Sequence, residues 1–494
     1  MSKYLSENFN KMCLVLAGSV VAGLFFNYSF FDKFPGLSIP IYMLFLLASV
    51  LLLYAKFRGR PDVRTLLLAL GSQLFATFMF VRSSPALMFL DFVAAMYLLI
   101  LLLDGLNGGR LSRYLWLNYF LTAIVVPWQM FRRALRYLLD LSSLRGLVKE
   151  QKNLTQIARG IILAIPILLL LVVLLSSADL VFSRYLSNII TFNLPEKILG
   201  QTVLFLIIAF AYSGFANFAI HGRLNEETAT KLEAPDHLPH LGKIEFSIIL
   251  GSIAALFLIF ILVQVKYLFG GQEHIIALGF TYADYARKGF FELIAVGGFI
   301  FLLLLAMDKY AFRNDNLHYR SFRWLGAVLT AEVMVIMASA FMRLNLYEQA
   351  YGFTDSRFYA HAVILFLAVV FLLLLYKILK HRSESFLAVR VFGTIIVALI
   401  ILNAINPDAF IARKNIERFT ETGKIDTVYL GSLSWDAIPE TLKVLDAPGV
   451  DSTELISKLQ SDLKTNERNS GWQSVHWAKI NARRSLDKYK IPLD

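Results

Sequence analysis

Long apolar runs joined by short polar connectors make up most of the chain. Four of them, at residues 12–30, 37–57, 65–81 and 85–103, open it, and each approaches the roughly 20 apolar residues that cross a bilayer as a helix. Further runs follow at 157–178, 198–219, 246–268, 290–307, 325–341, 358–378 and 386–405. The pattern predicts an all-α, polytopic helical membrane protein of about 11–12 transmembrane helices. The ambiguous run is 114–130, which contains Asn118, Pro127 and Gln129 and is basic on both flanks, so it predicts an interfacial or re-entrant segment. Beyond 405 the hydropathy falls, and strings such as ISKLQSDLKTNER and WAKINARRSLDKY carry helical patterning, which predicts a small helical C-terminal appendage. Four regions result: a four-helix membrane region at 1–109, a basic segment at 110–156, a main transmembrane domain at 157–405 and a soluble helical tail at 406–494.

Charge gives this pattern a direction. Only 17% of residues are charged, against about a quarter in ordinary soluble domains, and the net charge is +12. The basic residues cluster in connectors, where lipid headgroups and topology account for them, so no nucleic-acid partner is expected. The connector KFRGRPDVR holds Lys56, Arg58, Arg60 and Arg64 against Asp62 alone, which puts it and the N-terminus in the cytoplasm. Eleven crossings then leave the tail extracytoplasmic. Lys3 and Lys11 ahead of the first run resemble a signal sequence without a small-residue cleavage site, so that run is expected to stay as a membrane helix. In RRALRYLLDLSSLRGL, Arg132, Arg133 and Arg136 alternate with apolar residues as in an amphipathic helix lying on an anionic leaflet; a protein partner is the alternative. Cys13 is the sole cysteine, which excludes an internal disulfide framework and a cysteine metal site.

The most polar stretch between apolar runs is FMRLNLYEQAYGFTDSRFYAH at 341–361, with Arg343, Glu348, Asp355, Arg357 and His361. On the expected topology it reaches the outer face together with SSADLVFSRYL, which holds Asp179, YLFGGQEHIIALGFTYADYARKGFFEL, which holds Asp284, Arg287 and Glu292, and NAINPDAFIARKNIER. Polar groups so close to hydrocarbon are costly unless they satisfy one another, so a cluster is expected, with Arg343 paired to Glu292. Glu332 lies three turns before Arg343, roughly 16 Å deeper, where an acid is a functional candidate by default. Asp91, inside the fourth run, is expected to find a partner on a neighbouring helix. An ion-pair network that only fastens helix ends is the plain structural reading of the whole cluster.

Catalytic, cofactor and metal signatures are absent. The pair Gly270 and Gly271 is weak as a phosphate cradle, and His237 and His240 in HLPH are separated by Pro239 with no further ligands near. At SSADLVF, YLFGG, TYADYARKGFFEL, MRLNLYEQAYGFTDSRFYA, NAINPDAFIARKNIER and IDTVYLGSLSWDAIPETL the sequence resembles an uncharacterised bacterial multi-pass membrane family, domain of unknown function 4173, from about residue 176 onward. The resemblance implies a multi-pass bacterial membrane protein with no established reaction, and it carries over no catalytic residue; the expected location is the bacterial cytoplasmic (inner) membrane. Three functions stay open: a non-enzymatic envelope protein with an outer ligand or partner site, a proton-coupled carrier using Glu332, and a membrane-embedded enzyme on lipid or envelope sugar with Asp284, Asp355 or Glu348 as acid or base.

Overall fold

The computed structural model describes residues 2–109, 111–143, 175, 179, 196–222, 243–268, 290–310, 316–446, 453–465 and 471–489. Their regular secondary structure is helical, with no strand among them. In chain order the long helices are α1 (Ser2–Phe30), α2 (Ser38–Phe57), α3 (Val63–Val81), α4 (Pro85–Leu106), α5 (Trp116–Ser143), α6 (Glu196–His221), α7 (Lys243–Leu268), α8 (Phe290–Tyr310), α9 (Asn316–Tyr351), α10 (Asp355–Leu379) and α11 (Glu384–Ile405). Among the described residues nine helices are long and apolar enough to cross a membrane: α1–α4, α6, α7 and α9–α11. Within α8, Leu293–Asp308 is a shorter apolar segment. Leu52, Leu70, Phe89, Leu256 and Leu302 are exposed on these helices, as lipid-facing side chains must be.

Two cores organise the bundle. The first joins α1–α4 and α6 around Phe75, Leu101, Leu102 and Phe218; the second joins α7–α11 around Phe246, Leu304, Phe322 and Phe371. Small residues let α3 and α4 approach closely, and Ser72 Oγ donates to the Ala95 carbonyl across them at 2.8 Å. Helix α11 faces both cores, with Ala388 in the first and Leu387 and Val391 in the second, and Phe392 packs on Tyr97 and Tyr119. The α4–α11 seam therefore joins the two halves.

The bundle has a basic end and a tail end. At the basic end, Arg58 donates to Asn107 Oδ1, whose amide donates to the Phe218 carbonyl, so α2, α4 and α6 finish together. Arg323 at the start of α9 meets His381 after α10 at 3.3 Å. Both ends of α5 stay on this side: Tyr114, just before it, donates to Asp104, while Arg133 bonds the Gly222 carbonyl at 2.7 Å and Tyr137 donates to the Met12 carbonyl. Because α5 is unbroken, with Pro127 inside it, it does not make the reversal of a re-entrant segment. Helix α6 starts at the other end, where Asn27 Nδ2 donates to the Gln201 carbonyl. The run expected at 157–178 lies, apart from the exposed Leu175, outside the described residues, as do the 223–242 connector with His237 and His240 and the pair Gly270 and Gly271.

Past α11 the chain folds into the tail: α12 (Pro407–Thr422), α13 (Thr427–Leu430), α14 (Ile438–Thr441), α15 (Thr453–Thr465) and α16 (Trp477–Lys488). The α11–α12 corner follows from its sequence. Asn406 takes the left-handed conformation (φ 58°) that asparagine tolerates, and Pro407 opens the next helix with its preset φ. The tail docks on the helix ends. Leu37 N–H donates to the Val475 carbonyl at 2.9 Å, and a side chain at Gly36 would strike that same carbonyl.

Candidate functional site at the tail end

The polar 341–361 stretch is mostly helix. α9 continues past the expected end at 341 through Tyr351, because Leu344 and Glu348 prolong the buried stripe of Val333, Ile336, Met337 and Ala340. Gly352 (φ 84°) ends it, its N–H donating to the Glu348 carbonyl at 2.8 Å, and α10 begins three residues later. The last turn of α9 has carbonyls without helical partners, and α12 supplies them: Arg418 donates to Gln349 O (2.8 Å) and Ala350 O (2.6 Å). Asn415 holds Phe353 through both its N–H and its carbonyl, each at 2.8 Å. Tyr429 accepts from the Asp355 N–H at 2.9 Å; burial and the nearby Asp355 carboxylate push its phenol up to about 12. Inside this clamp His361 Nδ1 meets the buried Glu348 carboxylate at 3.3 Å, and Phe341 packs edge-on to the imidazole. The Arg357 guanidinium stacks over Tyr347, 4.0 Å from its ring centre.

A second polar constellation closes the α4–α11 seam. Asp91, fully buried on α4, accepts from Asn403 Nδ2 on α11 at 2.8 Å, while its Oδ2 has no hydrogen-bond partner among the described residues. Arg82 donates to the Asn403 carbonyl at 2.9 Å and reaches the Asp436 carboxylate of the tail at 3.5 Å. Asp436, buried, also accepts from the Ser83 N–H (2.5 Å) and hydroxyl (2.9 Å), and its own N–H donates back to Ser83 Oγ at 3.0 Å. Nearby Asp408 is buried and accepts from the Ser434 N–H at 3.1 Å; burial raises its pKa, opposed by the Ser434 hydrogen bonds. Helices α3, α4 and α11 are thus latched to the tail by one carboxylate.

Beside this latch lies a cavity of about 430 Å³ between the tail and the helix ends. Phe34, Pro85 and Met88 line it from the bundle, and Ser434, Trp435 and Lys479 from the tail. His476, also in its wall and buried, holds the Met79 carbonyl through Nε2 at 3.1 Å. Burial depresses its pKa below 6.5, against the opposing pull of Asp436 and of the Met79 and Arg82 carbonyls. Lys479 is likewise lowered by desolvation, its ammonium 5.1 Å from the Trp435 ring centre.

The expected cluster forms only in part. Glu348, Asp355, Arg357 and His361 share the turn; Arg343 is half-buried two turns before the end of α9; Glu332 is half-buried, and its Oε2 has no hydrogen-bond partner among the described residues. Asp179 is exposed. Asp284 and Arg287 lie outside the described residues, and so does the side chain of Glu292, on which the expected Arg343–Glu292 pair rests. Among the described residues no group of three or more metal-ligating side chains is found. Reading the chain locally missed Asp436, Arg418, Asn415 and His476, and also the buried Lys377–Asp308 pair (2.5 Å) joining α10 to α8. A family model described as a domain of unknown function (DUF4153) matches residues 69–444. The chain belongs to the DUF4153 family. The number corrects the expected 4173, and the match begins far earlier than residue 176. It stops before the C-terminus, so this DUF4153 protein's latch residues Arg82, Ser83, Asp91, Asn403 and Asp436 lie inside the match, whereas His476 and Lys479 lie beyond it. No curated protein and no solved structure matches the chain.

Proposed function

We propose that this integral membrane protein is a non-enzymatic binding protein of the envelope, holding a small ligand between its tail and the helix ends. The observation that carries this reading is the cavity of about 430 Å³ shared by the two units, within the roughly 300–1,000 Å³ of small-molecule sites. Filling it is the test. Ser434→Trp should remove a molecule that co-purifies with the wild type and is seen by mass spectrometry; identical profiles from folded wild type and variant would end the proposal.

In this reading the basic end is cytoplasmic and the tail extracytoplasmic, in a bacterial inner membrane, supported by Lys56, Arg58, Arg60 and Arg64 between α2 and α3. Helix α5 lies along the cytoplasmic headgroups. Arg132 and Arg136 meet anionic lipid there, whereas Arg133 is engaged by the carbonyls that end α6. Single cysteines at Ser142, Ser356 and Ser452, with Cys13→Ser, test the orientation: an impermeant maleimide should label the latter two only.

A carrier is the second reading, and the observation favouring it concerns Asp91 rather than Glu332. Asp91 sits on the seam between the two cores, and one of its oxygens has no hydrogen-bond partner among the described residues. Asp91→Asn should then abolish proton-coupled flux in proteoliposomes at unchanged abundance; retained coupling refutes it.

A further inference from the structure

We propose that the cavity takes the anionic head of a membrane amphiphile, a phosphate or carboxylate, with its chain continuing into the bilayer. The inference rests on the binding reading above and adds the chemical class.

Apolar side chains line the cavity from both the bundle and the tail. Pro85 opens α4 and Met88 lies one turn down that spanning helix, so the cavity floor reaches the edge of the hydrocarbon. Phe34, Trp435 and Leu459 extend the apolar wall. The polar groups come from Ser83 at the α3–α4 turn and from the tail. Ser474 lines the cavity with a buried hydroxyl that has no hydrogen-bond partner among the described residues, and Ser434 also lines it. Lys479 supplies a cation among the described lining residues. An ammonium over an aromatic face, partly desolvated, attracts an anion more strongly than it does in water. A volume near the lower limit for small-molecule sites suits a headgroup and the first carbons of one chain, leaving the rest in lipid.

The test is thermal unfolding of the purified full chain in detergent with phosphatidic acid, phosphatidylcholine or inorganic phosphate. Phosphatidic acid should raise Tm, the other two should not, and the rise should vanish in Lys479→Met and in Ser434→Trp. Equal rises with both lipids, a rise with inorganic phosphate alone, or a rise that survives Lys479→Met would each overturn the anionic amphiphile. Co-purification separates this failure from that of the binding reading. A neutral molecule retained by the wild type and lost from Ser434→Trp leaves the binding reading standing while this inference falls; no difference removes both.

Discussion

Replacing Asp436 by alanine should release the tail while leaving the bundle folded. Its carboxylate accepts two hydrogen bonds from Ser83, at 2.5 and 2.9 Å, and pairs with Arg82 at 3.5 Å, on a side chain only 3% exposed. A hydrogen bond to a charged group contributes about 1.5–3 kcal/mol, and the three here share one acceptor, so their losses do not add in full. Water entering from the neighbouring cavity can satisfy the Ser83 donors in part. A loss of about 3 kcal/mol in docking follows, and at about 1.4 kcal/mol per tenfold this raises the open population roughly 150-fold. Asp436→Asn keeps an acceptor for Ser83 and gives up the attraction to Arg82, so about 1 kcal/mol is expected. Hydrogen exchange of the full chain in nanodiscs reads the opening directly: amides of α15 and α16 should exchange faster by those factors, those of α3 and α4 unchanged. Tail exchange unaltered in Asp436→Ala, or equal in the two variants, would refute the latch.

Three further outcomes follow from the same geometry. Lys377→Met removes the ammonium 2.5 Å from the buried Asp308 carboxylate and should cost about 3–5 kcal/mol, whereas Lys377→Met with Asp308→Leu should come within about 1 kcal/mol of wild type. Heat-survival curves in detergent check this, and equal losses would refute it. Gly352→Ala forces an alanine to φ 84° with its Cβ 2.7 Å from Asn415 Oδ1, costing about 1–2 kcal/mol and loosening the α9–α10 turn in hydrogen exchange. Burial holds His476 below the 6.5 of the unfolded chain, so its contribution is full above 6.5 and is lost as pH falls through the lower folded value. Asp408, raised from 3.8, acts in the opposite sense, so the comparison is with His476→Asn: between pH 7.5 and 5.5 wild-type tail protection should weaken more than the variant's, and parallel slopes would refute the assignment.

The apolar runs located the first helices well, since α2, α3 and α4 begin within two residues of the expected starts and α2 and α3 end where expected. Hydropathy works there because the bilayer requires a fixed length of apolar helix. It failed at the end of α9, where Arg343, Asn345 and Glu348 lower the local average although the buried 3.6-residue stripe runs on through Leu344 to Glu348. Periodicity, not mean hydropathy, held that information. The site was less legible for a different reason. Asp436 and Ser83 are separated by 353 positions, and Lys377 and Asp308 by 69, so nothing local distinguishes a buried partner from a topology charge at a helix end. Asn415 and Arg418 fall within a motif quoted for its family resemblance, yet their clamping role appears only once α12 lies across the last turn of α9.

The latch and the cavity wall differ in where they sit relative to the family match, and this bears on what each is for. Arg82, Ser83, Asn403 and Asp436, which join the α4–α11 seam to the tail, fall within residues 69–444, as do Met88, Ser434 and Trp435 from the cavity. The wall carrying Ser474, His476 and Lys479 falls outside it, on a segment held by Val475 to the α1–α2 turn, itself outside the match. The latch therefore belongs to the matched unit, as do Ser83 and Ser434 of the lining, while Ser474, His476 and Lys479 are added to the cavity from beyond its C-terminal side. A loss of docking through Asp436 should open the cavity and lower ligand retention together, whereas a change at Lys479 should alter what is retained without releasing the tail. Finding both effects in both variants would mean that the tail is held by its ligand and not by the latch.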